Sequence, residues 1–314
     1  MSDGNDSQRR LYKMIPNCKI TEEVESNIKE GRIVALESSM VTQGLPWPKN
    51  FETMLRMEEV IYTEGAIPAI IAFLAGEIRV GLSHAELENL AKEKEAIKIT
   101  LSEIPWAQAK KLTGGTTVSS TIAIASRLGI NIFATGGMGG VHKGKRIDIS
   151  SDLIALSRFN MIVVCSGIKA FLDIDATLEI LEMLGVPVVT YQSDKIPAFF
   201  GPNTKFKSKQ RIDHFSEIIN FAQMKWDAEL PGSILLFNPI SHAIAVDEKE
   251  LSWAIEESHK LAAKRGIKGK ELTPFILEQI SHLTHEKSLK AIIELVINNA
   301  KLAGKIAKLS SSSA

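Results

Sequence analysis

Short apolar runs recur along this chain, at 33–36, 69–74, 130–134, 161–166, 186–190 and 234–237, and stretches with helical spacing separate them. A run that is apolar at every position has no face to offer water. It reads as a strand covered on both sides, and the intervening helices are what can cover it. The alternation therefore predicts α/β layers. Residues 69–74 and 78–80 read as a hairpin around Ala75-Gly-Glu77, and 97–101 as a further strand. Thr21, followed by Glu22 and Glu23, opens a helix to about Lys29 that Gly31 ends; Asn50 caps a helix with Phe51, Leu55, Val60 and Ile61 on its apolar positions, stopped by Gly65. Ser83 caps a helix through Ala91, and Gly114-Gly-Thr-Thr-Val118 opens another to Leu128. Further helices are expected at 152–157, 170–184, 215–228 and 247–265, with two more across 272–309. No repeat and no low-complexity linker interrupts the pattern. One domain is expected over 20–307, with a flexible arm at 1–19 and a disordered Ser-rich tail at 308–314.

Lys plus Arg and Asp plus Glu both count 37, so the formal net charge is zero. A neutral chain lacks the field that draws proteins to nucleic acid or anionic membranes, and neither is expected as a partner. The longest apolar stretch, 66–76, is too short to cross a bilayer and contains Pro68. Residues 1–14 have no apolar segment of the kind a secretory signal requires. Cys18 and Cys165 stand far apart, which suits a reducing compartment; a cytoplasmic protein is expected.

Chemistry-bearing residues gather after the strands. The 130–134 strand runs into Thr135-Gly-Gly-Met-Gly-Gly-Val-His142. A dinucleotide fingerprint would need glycine at 142, and no Gly-Lys-Ser/Thr follows, so both nucleotide loops are excluded. The glycines read either as a tight turn packed on the sheet or as an anion nest for a phosphate monoester. Asp148-Ile-Ser-Ser-Asp152 can cap a helix, bind phosphate at its start, or offer carboxylates to a hard cation. Lys169 sits in a Gly-x-Lys turn after the 161–166 strand, where the carboxyl edge of a sheet meets substrate. Desolvation there favours the neutral amine that Schiff-base chemistry requires, although a surface lysine starting a helix fits the same pattern. Glu37 ends its strand similarly and can act as an acid. Lys98 interrupts an apolar pattern. His282 and His285 lack a third ligand and read as a solvent-facing helix end, while Cys165 reads as core.

Taken in order, Val34-Ala-Leu-Glu-Ser38, Gly44-Leu-Pro-Trp-Pro48, Gly115-Thr-Thr-Val118, Ala134-Thr-Gly-Gly-Met-Gly-Gly-Val-His142, Asp148-Ile-Ser-Ser-Asp152 and Ser166-Gly-Ile-Lys169 resemble the pseudouridine-5'-phosphate glycosidases. Pro197-Ala-Phe-Phe200, Asn238-Pro239 and Glu271-Leu-Thr-Pro-Phe275 continue the resemblance, which spans about 20–307. It implies a three-layer α/β/α sandwich around a mixed, mostly parallel sheet, assembled as a homotrimer. It also implies reversible cleavage of the C–C glycosidic bond of pseudouridine 5'-phosphate to uracil and ribose 5-phosphate. The residues it assigns are Lys169 as the amine that attacks C1' and Glu37 as the acid that protonates the base. Lys98, Val118, Ser150, Ser151 and Asp152 are implied to bind substrate, and Asp148 to hold a divalent cation, Mn2+; Thr117, and Thr135 and His142 beside the glycine loop, are expected to bind substrate with them. The ligand is thus a small sugar phosphate or C-nucleotide.

Two positions depart from the family pattern. Gln43 stands where the family has His, and Ile292 where it has an Asn that contacts the base. These departures motivate an alternative, a synthase that joins ribose 5-phosphate to a different carbon nucleophile. A silent sugar-phosphate-binding protein is the third reading, and the presence of both Lys169 and Glu37 counts against it.

Overall fold

Residues 15–143, 148–201 and 204–311 are described by the structure, a computed structural model. In chain order its strands are β1 (Cys18–Ile20), β2 (Ile33–Glu37), β3 (Ile67–Leu74), β4 (Glu77–Val80), β5 (Ile97–Ile99), β6 (Gly114–Thr116), β7 (Ile132–Ala134), β8 (Val141–His142), β9 (Ile162–Cys165), β10 (Leu172–Asp173), β11 (Val188–Tyr191), β12 (Arg211–Ile212) and β13 (Ile234–Phe237). The helices are α1 (Glu22–Asn27), α2 (Lys49–Thr63), α3 (His84–Lys92), α4 (Ile104–Ala109), α5 (Val118–Arg127), α6 (Asp152–Arg158), α7 (Ile174–Met183), α8 (Glu217–Asp227), α9 (Glu248–Arg265), α10 (Leu272–Leu283) and α11 (Lys287–Ser311).

The main sheet has the order β1-β4-β3-β2-β7-β9-β13-β11-β12, with β6 also on β3 and β5 on β6. It is mixed and mostly parallel: β4 and β6 run antiparallel to β3, and the path from β3 to β12 is parallel. Its inner strands are buried throughout because helices lie on both faces. On one, α11 packs on α2 and against β2, β7 and β9; α5 and α6 pack together, with α5 against β2. Phe73, Phe133 and Phe237 are fully buried. Truncating a phenylalanine in such a setting costs about 3–5 kcal/mol.

The sheet forks beside Glu37. β2 borders β3 from Ile67 to Ile71, and β6 takes the same edge at Ala72 and Phe73. Ser38 closes the fork, its hydroxyl donating to the Ile71 carbonyl (2.6 Å) and accepting from the Thr116 N–H (3.0 Å). Gly115 is required here, since a Cβ would stand 2.6 Å from the Ser38 carbonyl oxygen.

The sequence expectations differ from the structure mainly at element ends. The stretch expected to be a loose arm ends in β1, because 18–20 pair with the otherwise open edge of β4; residues 1–14 lie outside the described residues. The expected tail at 308–314 begins as helix: α11 continues through Ser311, since Ile306 and Ala307 are still buried and the Ser310 hydroxyl bonds the Ile306 carbonyl. Residues 312–314 lie outside the described residues. The helix expected from 170 starts at Ile174, because Leu172 and Asp173 pair with β8 and Asp173 then caps it. Asn50 lies inside α2, not before it. Its buried amide bonds the Val41 and Ala91 carbonyls, and the buried face of α2 carries Met54, Met57 and Ile61.

Candidate active site

Parallel strands β2, β7, β9 and β13 end side by side, at Glu37, Ala134, Cys165 and Phe237. The loops that follow share the carboxyl rim, the usual place for a ligand in such sheets. Residues 135–140 and 166–169 run as neighbours: Ser166 N–H donates to the Gly136 carbonyl (2.8 Å), Met138 N–H to Gly167 (3.1 Å), and Lys169 N–H to Met138 (3.2 Å). Gly167 turns the chain at a φ of +100°, a region open to glycine. That turn brings Lys169 back over the rim.

The rim encloses one cleft with two compartments. Glu37, Ser39, Lys98, Lys169 and Thr273 line both and so form the boundary between them. On one side lie Thr100, Thr117, His142, Asp148, Ser150 and Ser151, an array of hydroxyls with a carboxylate and an imidazole. On the other lie Met40, Phe199, Pro274, Leu277, Ile292 and Val296, with Gln43 as the polar exception. The groups that can move protons and form covalent bonds therefore stand between a polar and an apolar chamber.

Glu37 is held at this boundary from two sides. The Ser39 hydroxyl donates to its Oε2 (2.5 Å) and the Thr135 hydroxyl to its Oε1. In the polar chamber, Thr117 precedes α5, and the Ser151 hydroxyl is backed by that of the buried Ser119 at 3.0 Å. A helix N-terminus with such hydroxyls suits a phosphate. Burial pushes the His142 imidazole below its ordinary value; the Asp148 carboxylate opposes this, while His259, Lys169 and Lys98 add to the downward push. The ring is thus neutral near pH 7. Its Nδ1 is buried with no hydrogen-bond partner among the described residues.

The structure brings Glu37, Lys98, Thr117, Val118, His142, Asp148, Ser150, Ser151, Asp152 and Lys169 together around the cleft. Two sequence-identified residues act on the protein itself. Thr135 is buried and gives its hydroxyl to Glu37. Asp152 accepts the Ser119 N–H (3.0 Å) on one oxygen and the Gly139 N–H (2.9 Å) on the other, clamping the glycine loop to the start of α5. The glycines also resolve one of the alternatives. None of Gly136, Gly137, Gly139 and Gly140 has the positive φ that alternates in an anion nest. They permit close packing instead: a Cβ on Gly137 would meet the Phe199 ring at 2.6 Å, and one on Gly139 the Ser150 Cβ at 2.6 Å. Cys165 is fully buried with its thiol pushed up to about 12 by burial, and His282 is exposed beside Glu278. No cluster of three His, Cys, Asp or Glu side chains suited to a metal occurs among the described residues.

Sequence reasoning misses Asn299. This α11 residue is fully buried, and its amide donates to the Thr135 carbonyl (2.8 Å) and Ser166 hydroxyl (3.0 Å) and accepts from the Asn238 side chain (3.0 Å). One side chain thereby ties together the ends of β7, β9 and β13. The available signal is a polar residue at the core-facing spacing set by Ile292, Leu295 and Val296.

Nearly the whole chain is similar to known proteins. A family model described as "Indigoidine synthase A like protein" matches residues 23–309. The pseudouridine-5'-phosphate glycosidase of Alkaliphilus metalliredigens is 45% identical over 288 residues, covering 91% of this chain and 94% of its own. That of Escherichia coli (strain K12) is 42% identical over 294 residues, covering 92% and 94%. Among solved structures, the prealnumycin C-glycosynthase AlnA in complex with ribulose 5-phosphate superposes with a TM-score of 0.87 at 33% identity, covering 95% of this chain and 98% of its own. An indigoidine synthase A-like protein from Thermotoga maritima gives a TM-score of 0.85 at 33% identity, covering 93% and 96%.

Proposed function

Because this chain belongs to the indigoidine synthase A like family, together with the pseudouridine-5'-phosphate glycosidases it resembles, we propose that it reversibly cleaves pseudouridine 5'-phosphate to uracil and ribose 5-phosphate. The observation that carries the reading is the shared boundary: Glu37 and Lys169 both face a chamber suited to a sugar phosphate and a chamber suited to a planar base. A C–C bond offers no leaving oxygen to protonate, so a pair of carboxylates alone cannot cut it. The Lys169 amine attacks C1' and the ring C1'–O4' bond opens, with O4' taking a proton. Glu37 then protonates C5 of the base. The C1'–C5 electron pair returns to the base as its C5=C6 bond, and the nitrogen lone pair forms the iminium on Lys169. Water hydrolyses the iminium to release ribose 5-phosphate and restore the amine. Thr135 and Ser39 hold the Glu37 carboxyl in place for its proton transfer.

The residues also fit a divalent cation. The Asp148 side chain lines the polar chamber beside Ser150 and Ser151, and this all-oxygen set suits a hard ion such as Mn2+. An ion held by Asp148 would supply positive charge to the sugar phosphate. Lys98 and the hydroxyls at the start of α5 hold the phosphate end of the same ligand. We extend the reading to a cytoplasmic homotrimer. Two free cysteines support the compartment, and light scattering in solution checks the assembly. No helix among the described residues is long and apolar enough to cross a membrane.

The test is to reduce the protein with borohydride in the presence of ribose 5-phosphate and map the adduct. It should fall on the Lys169 peptide, and Lys169→Ala should lose turnover of pseudouridine 5'-phosphate while keeping its fold. Label elsewhere, or full activity in Lys169→Ala, rejects the assignment. A second reading, a synthase for another carbon nucleophile, is favoured by the apolar character of the base chamber and by likeness to a C-glycosynthase.

A further inference from the structure

Beyond the boundary set by Glu37, Ser39, Lys98, Lys169 and Thr273, the base chamber is walled by hydrocarbon, with Phe199, Pro274, Leu277 and Ile292 prominent. Among the described residues Gln43 supplies the one polar side chain there. It lines this chamber and not the polar one, so it stands at the end away from the bond that breaks. The edge of a planar base has few places to bond in such a chamber, and one carboxamide decides which edge is satisfied.

That carboxamide is fixed in place and only half used. A side-chain amide carries two N–H donors and an oxygen with two lone pairs. The Ala96 carbonyl can only accept, so Nε2 is the atom that faces it (2.7 Å), and Oε1 accepts the Thr42 hydroxyl (2.5 Å). One N–H and one lone pair remain for the chamber. The Met40–Gly44 turn that carries Gln43 is closed by the Leu45 N–H on the Met40 carbonyl (3.0 Å). It follows directly on Ser38, which closes the sheet fork, and Ser39, which holds Glu37. The acid and the amide thus ride on one short segment.

A uracil linked through C5 turns that atom toward Glu37 and Lys169, and C2 lies across the ring. The far edge then reads N1–H, C2=O, N3–H. A donor beside an acceptor on Gln43 complements an acceptor beside a donor on this edge, the two-point match by which a carboxamide reads a nucleobase. We infer that Gln43 is the residue that selects uracil: its free N–H donates to C2=O and its free lone pair accepts a flanking ring N–H, which sets C5 against the Glu37 carboxyl. The inference rests on the function proposed above and adds the group that recognises its base. A ring that cannot make this pair leaves buried polar groups unmatched, a loss of roughly tenfold to a hundredfold.

The experiment measures kcat/KM for pseudouridine 5'-phosphate and for its N1-methyl and N3-methyl derivatives, in the protein as it stands and in Gln43→Met. Each derivative keeps the C–C bond and loses one ring donor. The unsubstituted protein should cleave one of the two at least tenfold less efficiently than the parent compound. Gln43→Met keeps the length of the side chain and neither hydrogen-bonding group. It should lose at least tenfold on the parent and bring the three compounds within about threefold of one another; Gln43→Leu serves in its place if the methionine variant does not fold. A steric exclusion of the methyl group, or a merely structural role for Gln43, would leave the ratios among the compounds unchanged in the variant, and that result overturns the inference. Equal cleavage of all three by the unsubstituted protein also overturns it, with no variant needed. If no compound is cleaved the inference falls, and borohydride trapping of ribose 5-phosphate then separates the two readings: an adduct on Lys169 leaves the lysine mechanism standing, and no adduct removes both.

Discussion

Asn299 holds three strand ends from a buried position that lines neither chamber. Replacing it with alanine leaves the Thr135 carbonyl without its side-chain donor, the Asn238 amide without its acceptor, and the Ser166 hydroxyl without either bond. A buried group stranded in this way costs about 1–3 kcal/mol. The Gly136 carbonyl keeps the Ser166 N–H, and the Asn238 contact is only partly buried, so the groups do not all carry the full cost. The total expected loss is on the order of 3 kcal/mol, against a typical stability of roughly 5–15 kcal/mol. In a chain of this size that lowers Tm by roughly 4–5 °C. The catalytic effect has a distinct signature. Thr135 carries the hydroxyl that orients Glu37, and Ser166 starts the turn to Lys169, so kcat should fall more than KM rises, and borohydride trapping should slow. Calorimetry and steady-state kinetics on Asn299→Ala, with Asn299→Asp as the shape-matched control, supply the measurements. A Tm within about 2 °C of the parent, with unchanged trapping, refutes the tether.

Gly139→Ala should disrupt the Asp152 clamp, because the new methyl meets Ser150 at 2.6 Å and the Asp152 carboxylate at 2.7 Å; a large loss of activity in a soluble, folded protein is the expected result, and wild-type kinetics would contradict it. Chelator treatment in metal-free buffer should lower activity that Mn2+ restores; undiminished activity in the stripped protein argues against Asp148 as a ligand. Glu58 has its carboxyl pushed up to about 7, chiefly by burial and then by Glu23. The folded state therefore holds this proton more tightly than the unfolded state, and stability declines as pH rises from about 4.5 to 7. Glu58→Gln should raise Tm at pH 8 and leave it near the parent value at pH 4.5; equal shifts at both pH values would rule out the titration.

The strands are legible because each inner one is apolar at consecutive positions, and the end of each marks where a functional side chain can stand. Glu37 and Lys169 are found that way. What the sequence hides is how one segment uses another. Nothing local shows that Thr135 serves a carboxylate 98 positions earlier, or that Asp152 reaches back 33 positions to the start of α5. The glycine loop reads equally as nest or packing turn until the side chains of Phe199 and Ser150 arrive against it. Asn50 looks like a cap because its residue type prefers caps; burial between two distant carbonyls overrides that preference. The fork beside Glu37 escapes notice for a similar reason, since β6 is three small residues with no apolar pattern of its own.

The tether also sets a timetable for biosynthesis. Asn299 follows Asn238 by 61 residues and Ser166 by 133, so it leaves the ribosome after every strand of the sheet. At usual translation speeds the gap between Asn238 and Asn299 is roughly 3–12 s. Through that interval the nascent chain already contains Glu37, Lys98 and Lys169, yet β2, β7 and β9 lack the helix that covers them. The growing polypeptide thus presents an uncovered sheet face to chaperones, and the strand ends come into register only when the helix bearing Asn299 docks.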